Sequence, residues 1–137
     1  MKTNRILSIL TLVVLLAACS KKDEPAPAPD LAAKVAGTYQ VTKATLGAQT
    51  LNLPQPGRSA TLKLEKVGSS LTQVNFTATT TVNAIVTTSI VEILDLSVSG
   101  NDIDLAQKGA KTGTWSNNVI SITTTTGGQN LFYTASK

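Results

Sequence analysis

From Gly37 onward, apolar and polar residues alternate with a period of two almost without interruption, the pattern of strands that lay one face on a core. Gly37–Leu46 forms the first such run, with Tyr39 and Val41 on one face and Thr38, Gln40 and Thr42 on the other. Residues 47–57, with Pro54 and Pro56, read as a loop. Ala60–Lys66 turns Leu62 and Leu64 inward and Lys63 and Glu65 outward, and Gly68-Ser69-Ser70 marks a turn. Leu71–Val82 sets Val74, Phe76 and Ala78 on one side, with a turn at Asn83-Ala84. Thr112–Ser116 and Val119–Thr125 flank Asn117-Asn118, a pair that tolerates positive φ and suits a two-residue hairpin turn. That register pairs Trp115 with Ile120 and puts both on the face of Ile122. Gly127-Gly128 turns the chain again, and Leu131–Ala135 ends it.

One run is ambiguous. Ile85–Val98 is long for a single strand, and Glu92 shares the parity of Ile90, Leu94, Leu96 and Val98 while Val91 and Ile93 carry the other. A bulge near Glu92 or a break into two strands resolves the conflict. After the loop Ser99-Gly100-Asn101-Asp102 the chain returns through Ile103 and Leu105. The count is about eight antiparallel strands joined by short loops. The expected fold is therefore all-β, an up-and-down barrel whose closure removes exposed edges, with a two-sheet sandwich as the alternative.

The first thirty residues follow other rules. Lys2 and Arg5 precede an apolar run from Ile6 to Leu16, too short to span a bilayer and suited to a cleaved export signal. Leu16-Ala17-Ala18-Cys19 resembles the lipobox of bacterial lipoproteins. The resemblance implies cleavage before Cys19 and acyl chains on that residue, the chain's sole cysteine. Two or three acyl chains hold a protein stably on a membrane where one does not. Ser20 occupies the place where Asp would signal inner-membrane retention. Lys22-Asp23-Glu24 resembles the lysine-plus-acids export signal of Bacteroidetes surface lipoproteins, which implies an outer-membrane anchor facing the cell exterior. The alternative is the periplasmic face. Pro25-Ala26-Pro27-Ala28-Pro29 favours an extended spacer of about 3.1 Å per residue. Asp30 is placed to cap a helical turn within residues 30–36. The expected division is a leader over 1–18, a lipidated tether over 19–30 and one domain over 31–137.

Two stretches of the domain resemble lipocalin-like proteins. Gly37-Thr38-Tyr39 resembles the Gly-x-Trp opening of lipocalin-like barrels, with Tyr for Trp. The segment 113–122, Gly-Thr-Trp-Ser-Asn-Asn-Val-Ile-Ser-Ile, resembles the late hairpin of small lipocalin-like lipoproteins from Bacteroidetes. The likeness implies a barrel closed near its first strand and an apolar cavity.

Composition changes the functional picture mainly by exclusion. The formal charge is +4, of which Lys2 and Arg5 belong to the leader, and the remaining cations are scattered. No basic stripe with stacking aromatics is present, so no nucleic-acid partner is expected. The many threonines suit exposed strand faces. There is no His, Cys19 is assigned to acylation, and no Ser sits in a Gly-x-Ser-x-Gly elbow, so the expectation is a non-enzymatic protein with no cofactor. Asp102 and Asp104 lie on one strand face; their plain role is turn chemistry and surface, and calcium is the alternative. Glu92 either points outward past a bulge or sits inward at a pocket, with Lys43 or Arg58 as its counter-charge. The expected ligand pocket comprises Tyr39, Val41, Phe76, Glu92, Trp115 and Ile120. The expected function is a monomeric, membrane-anchored barrel binding a small apolar or amphipathic molecule at the cell envelope. The alternative is a structural or interaction domain of the cell surface with a filled core.

Overall fold

The computed structural model describes residues 26–126 and 128–137, with backbone only at residues 89–91 and 126. The leader, Cys19 and the charged segment 21–24, on which the export and anchoring expectations rest, lie outside the described residues.

The period-two segments form nine strands: β1 Gly37–Leu46, β2 Gln49–Asn52, β3 Arg58–Lys66, β4 Gln73–Val82, β5 Ile85–Ser99, β6 Asp102–Gln107, β7 Ala110–Ser116, β8 Val119–Thr126 and β9 Gln129–Ser136. All pairings are antiparallel, and β1 joins β9 to close the ring. Eight strands make the barrel, so the up-and-down closure holds and the sandwich does not. The ninth, β2, lies within the stretch expected to be a loop. Its residues pair with Lys43–Leu46, while β3 pairs with Gly37–Gln40, so β1 exchanges neighbours halfway along.

Alternation decides which side chains enter the barrel. Tyr39, Val41, Leu62, Leu64, Val74, Phe76, Leu94, Ile103, Leu105, Ile120 and Ile122 are all buried. The turns follow their residues: Asn117 and Asn118 have φ of 48° and 65°, and the Trp115–Ile120 pairing forms as the two-residue turn requires. The bulge in β5 falls at Ile90, which has no partner between the Thr77–Val91 and Ala78–Ser89 pairs. Two further bulges, at Thr42 and Thr112, bend β1 and β7. Past Thr42 the inward positions become Ala44 and Leu46, opposite Tyr133 and Leu131.

A short helix, α1 (Leu31–Val35), plugs one end. Asp30 caps it, its carboxylate accepting the Ala33 amide at 2.9 Å, and also binds the Lys66 ammonium on β3. The Lys66 hydrogen bond first, and the Ala33 amide second, hold the Asp30 carboxyl below its usual value. Leu31, Ala32 and Val35 are buried, and α1 packs on β3, β4 and β5. Beneath it, the Tyr39 hydroxyl donates to the Val35 carbonyl at 2.5 Å and accepts the Trp115 indole N–H at 2.9 Å. Lys137 crosses Gly37 to reach the Ala36 carbonyl at 2.7 Å, with its ammonium 5.1 Å from the Tyr39 ring. Gly37 has φ of +147°, a conformation that L side chains rarely adopt, which is why the first strand opens on glycine. This end of the barrel is filled.

Candidate ligand-binding site

The opposite end is open. Its rim carries the β1–β2 hairpin, the loop 53–57, the β4–β5 turn and the adjoining ends of β8 and β9, with the β6–β7 turn set lower on the same side. The rim is uneven, because β6 pairs with only Asp95–Ser99 of β5 and β7 with only Val119–Ile122 of β8. The β4–β5 hairpin therefore overhangs, and its Ile85 is 70% exposed.

The loop before β3 is set locally. Gln55-Pro56-Gly57-Arg58 is a turn with Pro at its second position and Gly57 at its third, where φ is +72°. The Arg58 amide donates to the Gln55 carbonyl at 2.8 Å, and the Gln55 amide donates back at 2.9 Å. The Asn83 amide, in the β4–β5 turn, donates to the Gly57 carbonyl at 2.7 Å, one step beyond the Arg58–Val82 pair, and ties the loop to the adjacent hairpin. This delivers Arg58 to the rim. It lies opposite Val82 in register and on the face of Ala60, Leu62 and Leu64.

Beneath this loop lies a cavity of about 320 Å³, lined mainly by Ala44, Leu53, Ala60, Val82, Leu131 and Tyr133, with Arg58 at its edge. A second recess of about 310 Å³, under the β1–β2 hairpin, shares Ala44, Leu51, Arg58 and Leu131 with it. Burial raises the Tyr133 phenol above its ordinary value, so it stays neutral at the cavity wall. Thr124 on β8, opposite Leu131 of β9, is a buried threonine whose hydroxyl has no partner among the described residues.

The cavity differs in lining from the six residues expected from sequence. Tyr39, Val41, Phe76, Trp115 and Ile120 are packed in the closed half of the barrel. Glu92 lies opposite Phe76 in register, which turns it inward, yet it is only partly buried. It borders a separate polar groove of about 490 Å³ with Gln73, Asp95, Gln107 and Lys108. Neither Lys43 nor Arg58 forms an ion pair with it. Lys111 Nζ stands 2.7 Å from Asp104 Oδ1, an ion pair by distance. Among the described residues no cluster of three or more His, Cys, Asp or Glu could hold a metal ion. Sequence reasoning missed Ala44, Ala60 and Leu131 because small and aliphatic residues at strand ends look like any other core position. Pro56-Gly57 before Arg58 was the available signal, since it is a turn pair that presents the next residue at a strand start.

Chemically, the mouth offers a mainly apolar volume, a neutral phenol, the small polar residues Ser59, Thr80 and Thr81, and one guanidinium. Searches against protein-family profiles, curated proteins and solved structures returned no significant match to this chain.

Proposed function

We propose that this protein is a lipid-anchored, non-enzymatic barrel that binds a small apolar or amphipathic molecule at the cell envelope. The observation that carries the binding half is the apolar cavity of about 320 Å³ at the open end of a barrel whose other end is packed shut. Ligand sites are typically such concave, mostly apolar spaces with few polar groups. The anchoring half rests on the lipobox sequence ending at Cys19. The tether joins the barrel through α1, at the end opposite the mouth, so an anchored chain would turn the cavity away from its own bilayer.

The binding test uses the neutral fluorophore N-phenyl-1-naphthylamine. Every described core residue lies between Leu31 and Ala135, so a chain beginning at Ser20 keeps the whole fold and needs no detergent. Saturable fluorescence enhancement is expected. It should be lost in Ala60→Phe and in Ala44→Phe, each of which fills the space from a different strand, while thermal unfolding stays cooperative. Enhancement that persists in both variants would place the fluorophore elsewhere and sink the reading. The anchor is tested separately. In the native host, Cys19→Ser is expected to leave an unprocessed precursor without acyl chains, read by mass spectrometry; normal processing of that variant would remove the lipidation.

The exposed Ile85 and Val86, at the tip of the β4–β5 hairpin, favour a second reading as a protein-interaction domain. A chain that binds no fluorophore but captures a defined surface partner through Ile85 would support it.

A further inference from the structure

We infer that the mouth selects amphipathic molecules with a single apolar chain and an anionic head, the head being held by Arg58; this rests on the cavity reading above and deepens it. Charge is unevenly placed around the barrel. The segments that build the rim beside the cavity, residues 44–57, 79–91, 123–126 and 128–133, contain no Asp, Glu, Lys or Arg, and the other cations toward this end, Lys108 and Lys111, belong to the β6–β7 hairpin, which does not line the cavity. Arg58 is the one charged residue lining either recess at this end. Among the described residues it forms no ion pair. The acids lie elsewhere: Asp30 and Glu65 belong to the closed end, and Glu92, Asp95, Asp102 and Asp104 follow β5 and β6 away from the cavity.

Geometry then orders the ligand. Arg58 shares the inner face of β3 with Ala60, so the guanidinium stands on the solvent side of an apolar wall. A molecule with its chain on Ala44, Ala60 and Leu131 would leave its head at Arg58. A methylene is close to water in size, and water occupies about 30 Å³, so the cavity takes a chain of roughly ten carbons. Guanidinium also matches carboxylate and phosphate oxygens in a two-pronged fashion that a lysine would not.

Decanoate, decan-1-ol and decyltrimethylammonium make a matched set, each displacing N-phenyl-1-naphthylamine from the chain beginning at Ser20. The expected result is displacement by decanoate at a concentration about threefold to fivefold lower than by decanol, the upper range for a solvent-exposed ion pair. Decyltrimethylammonium should be the weakest. The preference should shrink as salt rises, vanish in Arg58→Gln and reverse in Arg58→Glu. Equal displacement by all three, or a preference for decanoate that survives in Arg58→Gln, would overturn the inference and leave the cavity reading standing. Failure of the fluorophore to bind at all would remove the cavity reading itself, and this inference with it. Decyl phosphate, run beside decanoate, separates a carboxylate head from a phosphate head.

Discussion

Tyr39→Ala is expected to destabilise the barrel by about 3–5 kcal/mol, the range for truncating a large buried aromatic. Tyr39 is fully buried and joins three parts of the closed end: the last turn of α1, strand β1 and the indole on β7. Tyr39→Phe separates packing from polarity. It keeps the ring but leaves the Val35 carbonyl and the Trp115 N–H without their partner, at a cost of about 1–3 kcal/mol. Urea unfolding followed by the emission of Trp115, the chain's sole tryptophan, reads both variants. An unchanged midpoint for Tyr39→Phe would mean the hydroxyl network contributes nothing. Burial raises the Tyr39 phenol above its ordinary value, while the Trp115 hydrogen bond works against that. The unfolded chain therefore ionises first as pH rises, so this residue's contribution is intact below about pH 10 and is lost above it.

Gly113→Ala is expected to cost about 2–3 kcal/mol although it adds a single methyl, at the upper end for overpacking. A Cβ at this position would lie 2.3 Å from the Ser121 carbonyl oxygen and 2.9 Å from Ile122 Cα, both backbone atoms of β8. Backbone in a closed ring cannot swing aside as a side chain would. The bulge at Thr112 lies next to this position, on the β6 side of β7. Gly47→Ala is the comparison: φ is +57° there and nothing lies within 4 Å, so only the backbone conformation is penalised, by about 1–2 kcal/mol. Equal costs for the two variants, measured by urea unfolding, would show that close approach at Gly113 carries no weight.

The two motifs singled out in the sequence serve the barrel in different ways. In Gly37-Thr38-Tyr39 the glycine supplies a positive φ, and the tyrosine bonds the Val35 carbonyl and the Trp115 indole under the plug. In the second stretch, Gly113 makes room for backbone and Trp115 reaches Tyr39 across the barrel. The expected pocket of Tyr39, Val41, Phe76, Glu92, Trp115 and Ile120 does not separate the two ends of one interior. Inward parity is common to the packed end and the open end, and nothing in the alternation tells them apart.

All strands but β2, their turns and the inward set of the closed half were legible in the amino-acid sequence because each depends on residues two to four apart. Alternation assigns a face, and Asn117-Asn118 accepts the positive φ of a tight turn. What only the tertiary structure decided depends on residues far apart in the chain. The β1–β9 pairing that closes the ring joins Leu46 to Leu131, the bulge at Ile90 follows from the register of β4 against β5, and β2 exists because β1 and β3 diverge. The cavity belongs to this second class. Its walls come from five strands and the loop before β3, and its position follows from which end α1 fills, a matter of packing that no local pattern encodes.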